Sequence, residues 1–200
     1  MASNIALGTF QWDYHTETAA TEIVEFAPPQ ANKRPKLTTL RYTPAATEHD
    51  LKVMKAIHQV TLTAASPISD TTLDLSEATF GGDTLASGDW VILEHGDGTF
   101  GVYKASGLAT LVLTVTAISK AANVGARVWI MGAPGDSSYH LSYKSGTSAE
   151  KNFTDVVGGL GMSGYDIGTY FRTGIGDPLM FLSANGTNAG FLHHGAGVYV

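Results

Sequence analysis

The stretch WVILEHGDGTFGVYK, residues 90–104, decides the fold. Two runs of apolar and β-branched residues, WVILEH (90–95) and TFGVYK (99–104), flank the turn His95-Gly96-Asp97-Gly98. Asp-Gly is a strong hairpin signal because the tightest turns between antiparallel strands need positive φ, which glycine adopts without steric cost. Working outward, VTLTA (60–64), TTLDLS (71–76), LVLTVTAI (111–118) and ARVWIM (126–131) are runs of the same kind. SPISD, GGDTLASGD, GDG, ASGLAT and NVG separate the runs as turn residues. In LVLTVTAI one face carries Leu111, Leu113, Val115 and Ala117, and the other Val112, Thr114, Thr116 and Ile118, the period-2 pattern of a strand. Short strands joined by tight turns predict a small antiparallel β-barrel or sandwich over 59–133.

The flanks read differently. Residues 1–58 contain APPQANKRPK (27–36), whose three prolines each remove a backbone donor and disfavour helix at the residue before. With the strand-like pieces TEIVEF (21–26) and LTTLRYT (37–43), this segment is expected to be an extended N-terminal arm bearing a few strands. EHDLKVMKAIHQ (48–59) fits helical spacing through Leu51, Met54 and Ile57, and alternation through Leu51, Val53 and Ile57; the VTLTA that follows favours strand. Residues 134–200 form a Gly/Tyr-rich C-terminal β region with long loops, with strand character in SYHLSYK (138–144), DPLMFLS (177–183) and residues 190–200. The fold class is therefore all-β.

Composition narrows the functional classes. Charged residues make up 15% of the 200, against about 25% in an average domain, and there are 23 glycines. Few charges leave surface suited to burial in an assembly. The net charge of −6 lies in the body: residues 1–60 sum to zero, 61–135 to −4 and 136–200 to −2. That balance argues against a nucleic-acid binder, which clusters Lys and Arg. Without cysteine there are no disulfides, thiolate metal sites or thiol nucleophiles. MASNIALGTFQWDY lacks a secretion signal, and no apolar run is long enough to span a membrane, so a soluble chain made in a cytoplasm is expected.

Motifs of chemistry are scarce. GGLGMSG (158–164) spells Gly-x-Gly-x-x-Gly at Gly159, Gly161 and Gly164. A dinucleotide site needs those glycines to open a helix, but Gly168, Gly174, Gly176 and Pro178 follow, so the motif reads as a bend. Ser163 lacks the final glycine of a nucleophile elbow. His15, His49, His58, His95, His140, His193 and His194 are dispersed, and the adjacent last two would point to opposite faces of a strand. Asp97 and Asp136 read as turn formers, and KRPK (33–36) as a solvated loop. Tyr139, Tyr143, Tyr165, Tyr170 and Phe171 fit either a sugar-binding face or core packing. No catalytic, cofactor or metal residue is assigned.

LTTLRYTPAATEHDLKVMKAIHQVTLTAAS (37–66), the GDWVIL (88–93) beyond it, and DPLMFLSANGTNAGFLHHGAGVYV (177–200) resemble virion structural proteins of tailed bacteriophages. Within that group the likeness is to the small β proteins that decorate or cement the capsid. The resemblance implies a non-enzymatic protein without cofactor on the outer capsid surface, synthesised in the bacterial host cytoplasm. It would bridge subunits of the major capsid protein as a homo-oligomer, a trimer first, with no nucleic-acid or membrane partner. Contacts are expected in the arm, at Phe10, Trp12, Tyr14, Ile23, Val24, Phe26, Lys33, Arg34 and Lys36. The alternatives are a tail or head–tail connector component and a carbohydrate-binding β module of a fibre.

Overall fold

The structure, a computed structural model, describes residues 8–16, 22–43, 49–80, 85–131, 140–145, 151–152, 173–185 and 192–200. The protein is all-β: the described residues contain thirteen strands and no helix. The glycine motif with Ser163, and Tyr139, Tyr165, Tyr170, Phe171 and Asp136, lie outside the described residues. The chain divides into two compact units, 56–140 and the combination of 1–55 with 141–200.

The unit of residues 56–140 is built around the predicted hairpin. Strand β6 (Trp90–Glu94) pairs antiparallel with β7 (Phe100–Ala109), Trp90 opposite Lys104 and Glu94 opposite Phe100. On its other side β6 pairs with β9 (Arg127–Met131), which pairs with the end of β4 (His49–Thr61). β7 continues to β8 (Val112–Val115) and β8 to β5 (Thr72–Asp74). An antiparallel bridge between Leu62 and Leu75 brings the chain just after β5 back to the chain just after β4, with Thr63 N donating to Asp74 O at 2.8 Å and Ser76 N to Thr61 O at 2.9 Å. The strands therefore curl into an antiparallel half-barrel whose two ends meet at this one bridge, in keeping with the small antiparallel barrel or sandwich expected from the turn spacing.

Every strand of the curled sheet feeds one core. Val60, Leu62, Leu73, Leu75, Val91, Leu93, Tyr103, Ala105, Leu113, Val115, Val128 and Ile130 alternate inward along their strands, as a period-2 pattern requires. Val91, Ile92 and Leu93 are all buried, so β6 is covered on both faces.

Two local readings are corrected. ASGLAT is not a turn: β7 runs on through Ala109, with a bulge between Ala105 and Gly107, and the reversal falls at Thr110, which has φ 58°. A bulge adds one residue without ending the strand, so the glycine that looked like punctuation sits inside the ladder. In LVLTVTAI, Leu113 and Val115 point inward as expected, but Leu111 is exposed and Ile118 is buried. The strand ends at Val115, and beyond it alternation no longer governs which residue faces the core.

In the other unit, β1 (Thr9–Thr16) pairs with β13 (Leu192–Tyr199), β13 with β3 (Pro35–Thr43), and β3 with β11 (Lys151–Asn152). A second series joins β2 (Glu22–Ala27) to β12 (Leu179–Asn185) and β12 to the first half of β4. Strand β10 (His140–Ser145) also pairs with β4. From His49 on, EHDLKVMKAIHQ is thus strand, as the following VTLTA indicates. Leu179, Met180, Phe181 and Leu182 are consecutively buried, the mark of a strand covered on both faces. Phe10 packs edge-on against Tyr199, ring centroids 5.5 Å apart, and Gly197 leaves the space that the Phe10 ring fills.

Candidate functional site

Among the described residues of the unit 56–140, the densest set of interacting polar side chains lies at the end of the β6–β7 hairpin. The turn builds itself first: Asp97 Oδ1 accepts from Thr99 N at 3.0 Å and from Thr99 Oγ1 at 2.6 Å, while Gly98 takes φ 77°. Lys120, from the segment after β8, reaches Asp97 Oδ2 at 2.7 Å and Thr99 Oγ1 at 3.1 Å. The Lys120 ammonium and the two Thr99 donors hold the Asp97 carboxyl well below the usual carboxylate range.

Beneath the turn lies His95, 4% exposed. Its Nδ1 is 3.0 Å from Thr99 Oγ1 and its Nε2 is 2.7 Å from the Tyr103 hydroxyl. Tyr103 Oη lies 3.0 Å from Ser119 Oγ and accepts from Ser119 N at 3.1 Å. Burial pushes the His95 pKa below its ordinary 6.5; the Asp97 charge works against that shift and the Lys120 charge with it. Gly101 makes the room: a Cβ there would collide with the Tyr103 hydroxyl and lie 2.7 Å from His95 Cε1. Of this cluster the sequence drew attention only to His95 and Asp97. Tyr103 looked like any inward aromatic, and Ser119 and Lys120 lie in a segment without periodicity.

On the opposite face of the same strands, charge and aromatic rings interleave. Arg127 Nε and Nη2 donate to Glu94 at 2.9 and 3.0 Å, and its guanidinium lies 4.8 Å from the Trp129 ring centre. Lys104 Nζ sits 5.4 Å from the Trp90 ring centre, and Phe100 meets Trp129 edge-on at 5.8 Å. The Arg127 guanidinium holds the Glu94 carboxyl below its ordinary value. Among the described residues no group of three or more His, Asp or Glu is placed to hold a metal ion.

The expected contact residues fall on two strands and one turn. Phe10, Trp12 and Tyr14 are on β1; Ile23, Val24 and Phe26 are on β2; Lys33, Arg34 and Lys36 follow β2 into the start of β3. Phe10 is 2% exposed, whereas Val24, Phe26, Lys33, Arg34 and Lys36 are half-buried. β1 and β2 each stand at the end of their strand order, and they approach one another. Arg34 exchanges backbone hydrogen bonds with Val200 at 2.9 and 3.0 Å, and Lys33 O accepts from Gly176 N at 2.7 Å, so the basic turn is tied to the C-terminal strands.

No protein-family model matches the chain, and no curated protein matches it. Among solved structures it is similar to a complex of VP16 and VP17, the two major capsid proteins of bacteriophage P23-77. That likeness has 11% identity over 94% of this chain and 100% of that one, with a TM-score of 0.20. It is also similar to VP17 of the same phage, at 10% identity over 95% of this chain and 98% of that one, again with a TM-score of 0.20. Likenesses this distant carry no argument about fold or function.

Proposed function

We propose that the chain is a non-enzymatic virion structural protein that binds the outside of a bacteriophage capsid and bridges neighbouring capsid subunits. The observation that carries this reading is the placement of β1 and β2 at the ends of their strand orders. A strand at a sheet edge is a template for pairing with another chain, and strand addition draws affinity from main-chain hydrogen bonds. The resemblance of residues 37–66 and 177–200 to virion proteins says which partner to test. A homo-oligomer, with a trimer as the first form, would present several such edges to the lattice. Binding the assembled shell and not its free subunits would stabilise the shell by mass action.

The test begins with the chain's presence in purified virions by mass spectrometry. Stripped heads are then titrated with the purified chain and pelleted. The natural chain is expected to co-sediment with heads, and Val24→Lys, which places a charge on β2, to bind about tenfold more weakly. Retention by tails and not heads would move the assignment to a tail or connector component. Retention by neither would overturn it.

A further inference from the structure

The hydrogens around His95 can be counted. Asp97 has none to give, so Thr99 donates its one hydroxyl hydrogen to Asp97 Oδ1, 2.6 Å away. Thr99 Oγ1 must then accept, from Lys120 Nζ at 3.1 Å and from His95 Nδ1 at 3.0 Å. Nδ1 therefore carries the hydrogen of the neutral ring. Nε2 is left as an acceptor, and the Tyr103 hydroxyl, 2.7 Å away, donates to it. With its single hydrogen committed, Tyr103 Oη accepts from Ser119 N and from the Ser119 hydroxyl. The outcome is a chain with one direction: Ser119 donates to Tyr103, and Tyr103 to His95. Ser119 is exposed at one end and His95 buried at the other.

We propose that this chain is an acid-triggered latch, in which Ser119 and Tyr103 relay a proton from solvent to His95 and the resulting charge releases residues 119–121 from the hairpin end. Hydronium gives a proton to Ser119 Oγ, Ser119 passes its own to Tyr103 Oη, and Tyr103 passes its own to Nε2. Water is left behind, each hydroxyl keeps one hydrogen, and imidazole becomes imidazolium. Every hydroxyl then points the other way, Tyr103 donating to Ser119 and Ser119 to solvent. The bonds survive the reversal; what changes is a buried charge.

Three groups face that charge. The Asp97 carboxylate from the turn favours it, but it already accepts from Thr99 and Lys120. The Lys120 ammonium opposes it, and Tyr103 from β7 is neutral. Moving residues 119–121 away relieves both penalties, removing Lys120 and admitting water to the ring. The segment is placed to do so. Buried Ile118 anchors one end and the Ala122–Ser66 bridge anchors the other. Between them the bonds run to the hairpin: Ser119 N to Tyr103, Lys120 to Asp97 and Thr99, and Gly96 N to Ala121 O at 2.9 Å.

Nuclear magnetic resonance on the full chain tests this. Long-range nitrogen–proton spectra are expected to show the Nδ1–H tautomer at neutral pH and a His95 titration below 6.5. Protection factors of the Gly96 and Ser119 amides, corrected for intrinsic exchange, should fall about tenfold from pH ~7.5 to pH ~5 while those of β6 and β9 hold. In His95→Gln, which keeps polar atoms but does not titrate, that fall should vanish. In Ser119→Ala, proton exchange at His95 should slow. An Nε2–H tautomer, an undiminished fall in His95→Gln, unchanged proton exchange in Ser119→Ala, or an equal fall in the β6 and β9 amides would each overturn the latch. If His95→Gln does not fold, the tautomer and the comparison of amides in the natural chain decide alone.

Discussion

Leu62 and Leu75 face one another across an antiparallel bridge, the one point at which the two ends of the curled sheet meet among the described residues. Both side chains are buried in the barrel core. Leu75→Ala would remove atoms from a site that can collapse little, because ladder bonds on both sides fix the backbone. The expected cost is about 2–5 kcal/mol, read from urea denaturation. Leu111, at a reversal of the chain, is 40% exposed; Leu111→Ala should change stability by less than about 0.5 kcal/mol. Equal effects would mean that Leu75 is not packed in the core where the bridge places it.

Glu94 and Arg127 give a pH dependence of known sign. Glu94's pKa is lower in the folded chain than its ordinary 4.5, through its hydrogen bonds with Arg127. The stability it confers is therefore present above 4.5 and lost as pH falls through the folded value. Both side chains are partly exposed, at 26% and 38%, so solvent screens the pair. Glu94→Gln should cost about 1 kcal/mol at neutral pH. The difference from the natural chain should shrink as the solution is acidified below 4.5. Urea midpoints measured along a pH series check both statements.

The hairpin turn makes a prediction about backbone alone. Gly98 sits at φ 77°, with open space where a Cβ would lie. Gly98→Ala should therefore cost about 1 kcal/mol through the left-handed backbone. Gly98→Asn should cost less, since Asn tolerates that region. At Gly101 the reverse holds: the obstacle is the Tyr103–His95 pair, so Gly101→Ala should cost about 1–3 kcal/mol and disturb the His95 resonances. Thermal midpoints of the three variants separate strain from collision.

What the sequence disclosed followed how local the physics is. Asp97-Gly98 and the alternation of Leu113 with Val115 act within a few residues, and the barrel strands were legible from them. Partnership is not local. Nothing in TFQWDYHT says that it pairs with LHHGAGVY at the other end of the chain, because any edge can pair with any strand of matching pattern. The polar cluster was hidden for the same reason. Tyr103 and Ser119 are sixteen positions apart, and their shared hydrogen bond exists only once the sheet has curled. The resemblance to virion proteins nominated Val24 and Phe26 as contacts, but it could not give their position on a strand at the end of its series.

Tyr199 supplies a last prediction, in the other unit. It is 7% exposed, and its hydroxyl donates to the Pro28 carbonyl at 2.8 Å. Burial pushes its pKa above the ordinary 10.0. A group held neutral by the fold contributes stability that is present below its unfolded pKa and lost as pH rises toward the folded value. Tyr199→Phe leaves the Pro28 carbonyl without this donor, so at neutral pH it should destabilise by about 1–2 kcal/mol. The phenyl ring has no proton to lose. The natural chain should therefore lose its advantage as the solution passes 10.0, and the two urea midpoints should converge. A constant gap between them would show that the hydroxyl is not held neutral against the Pro28 carbonyl.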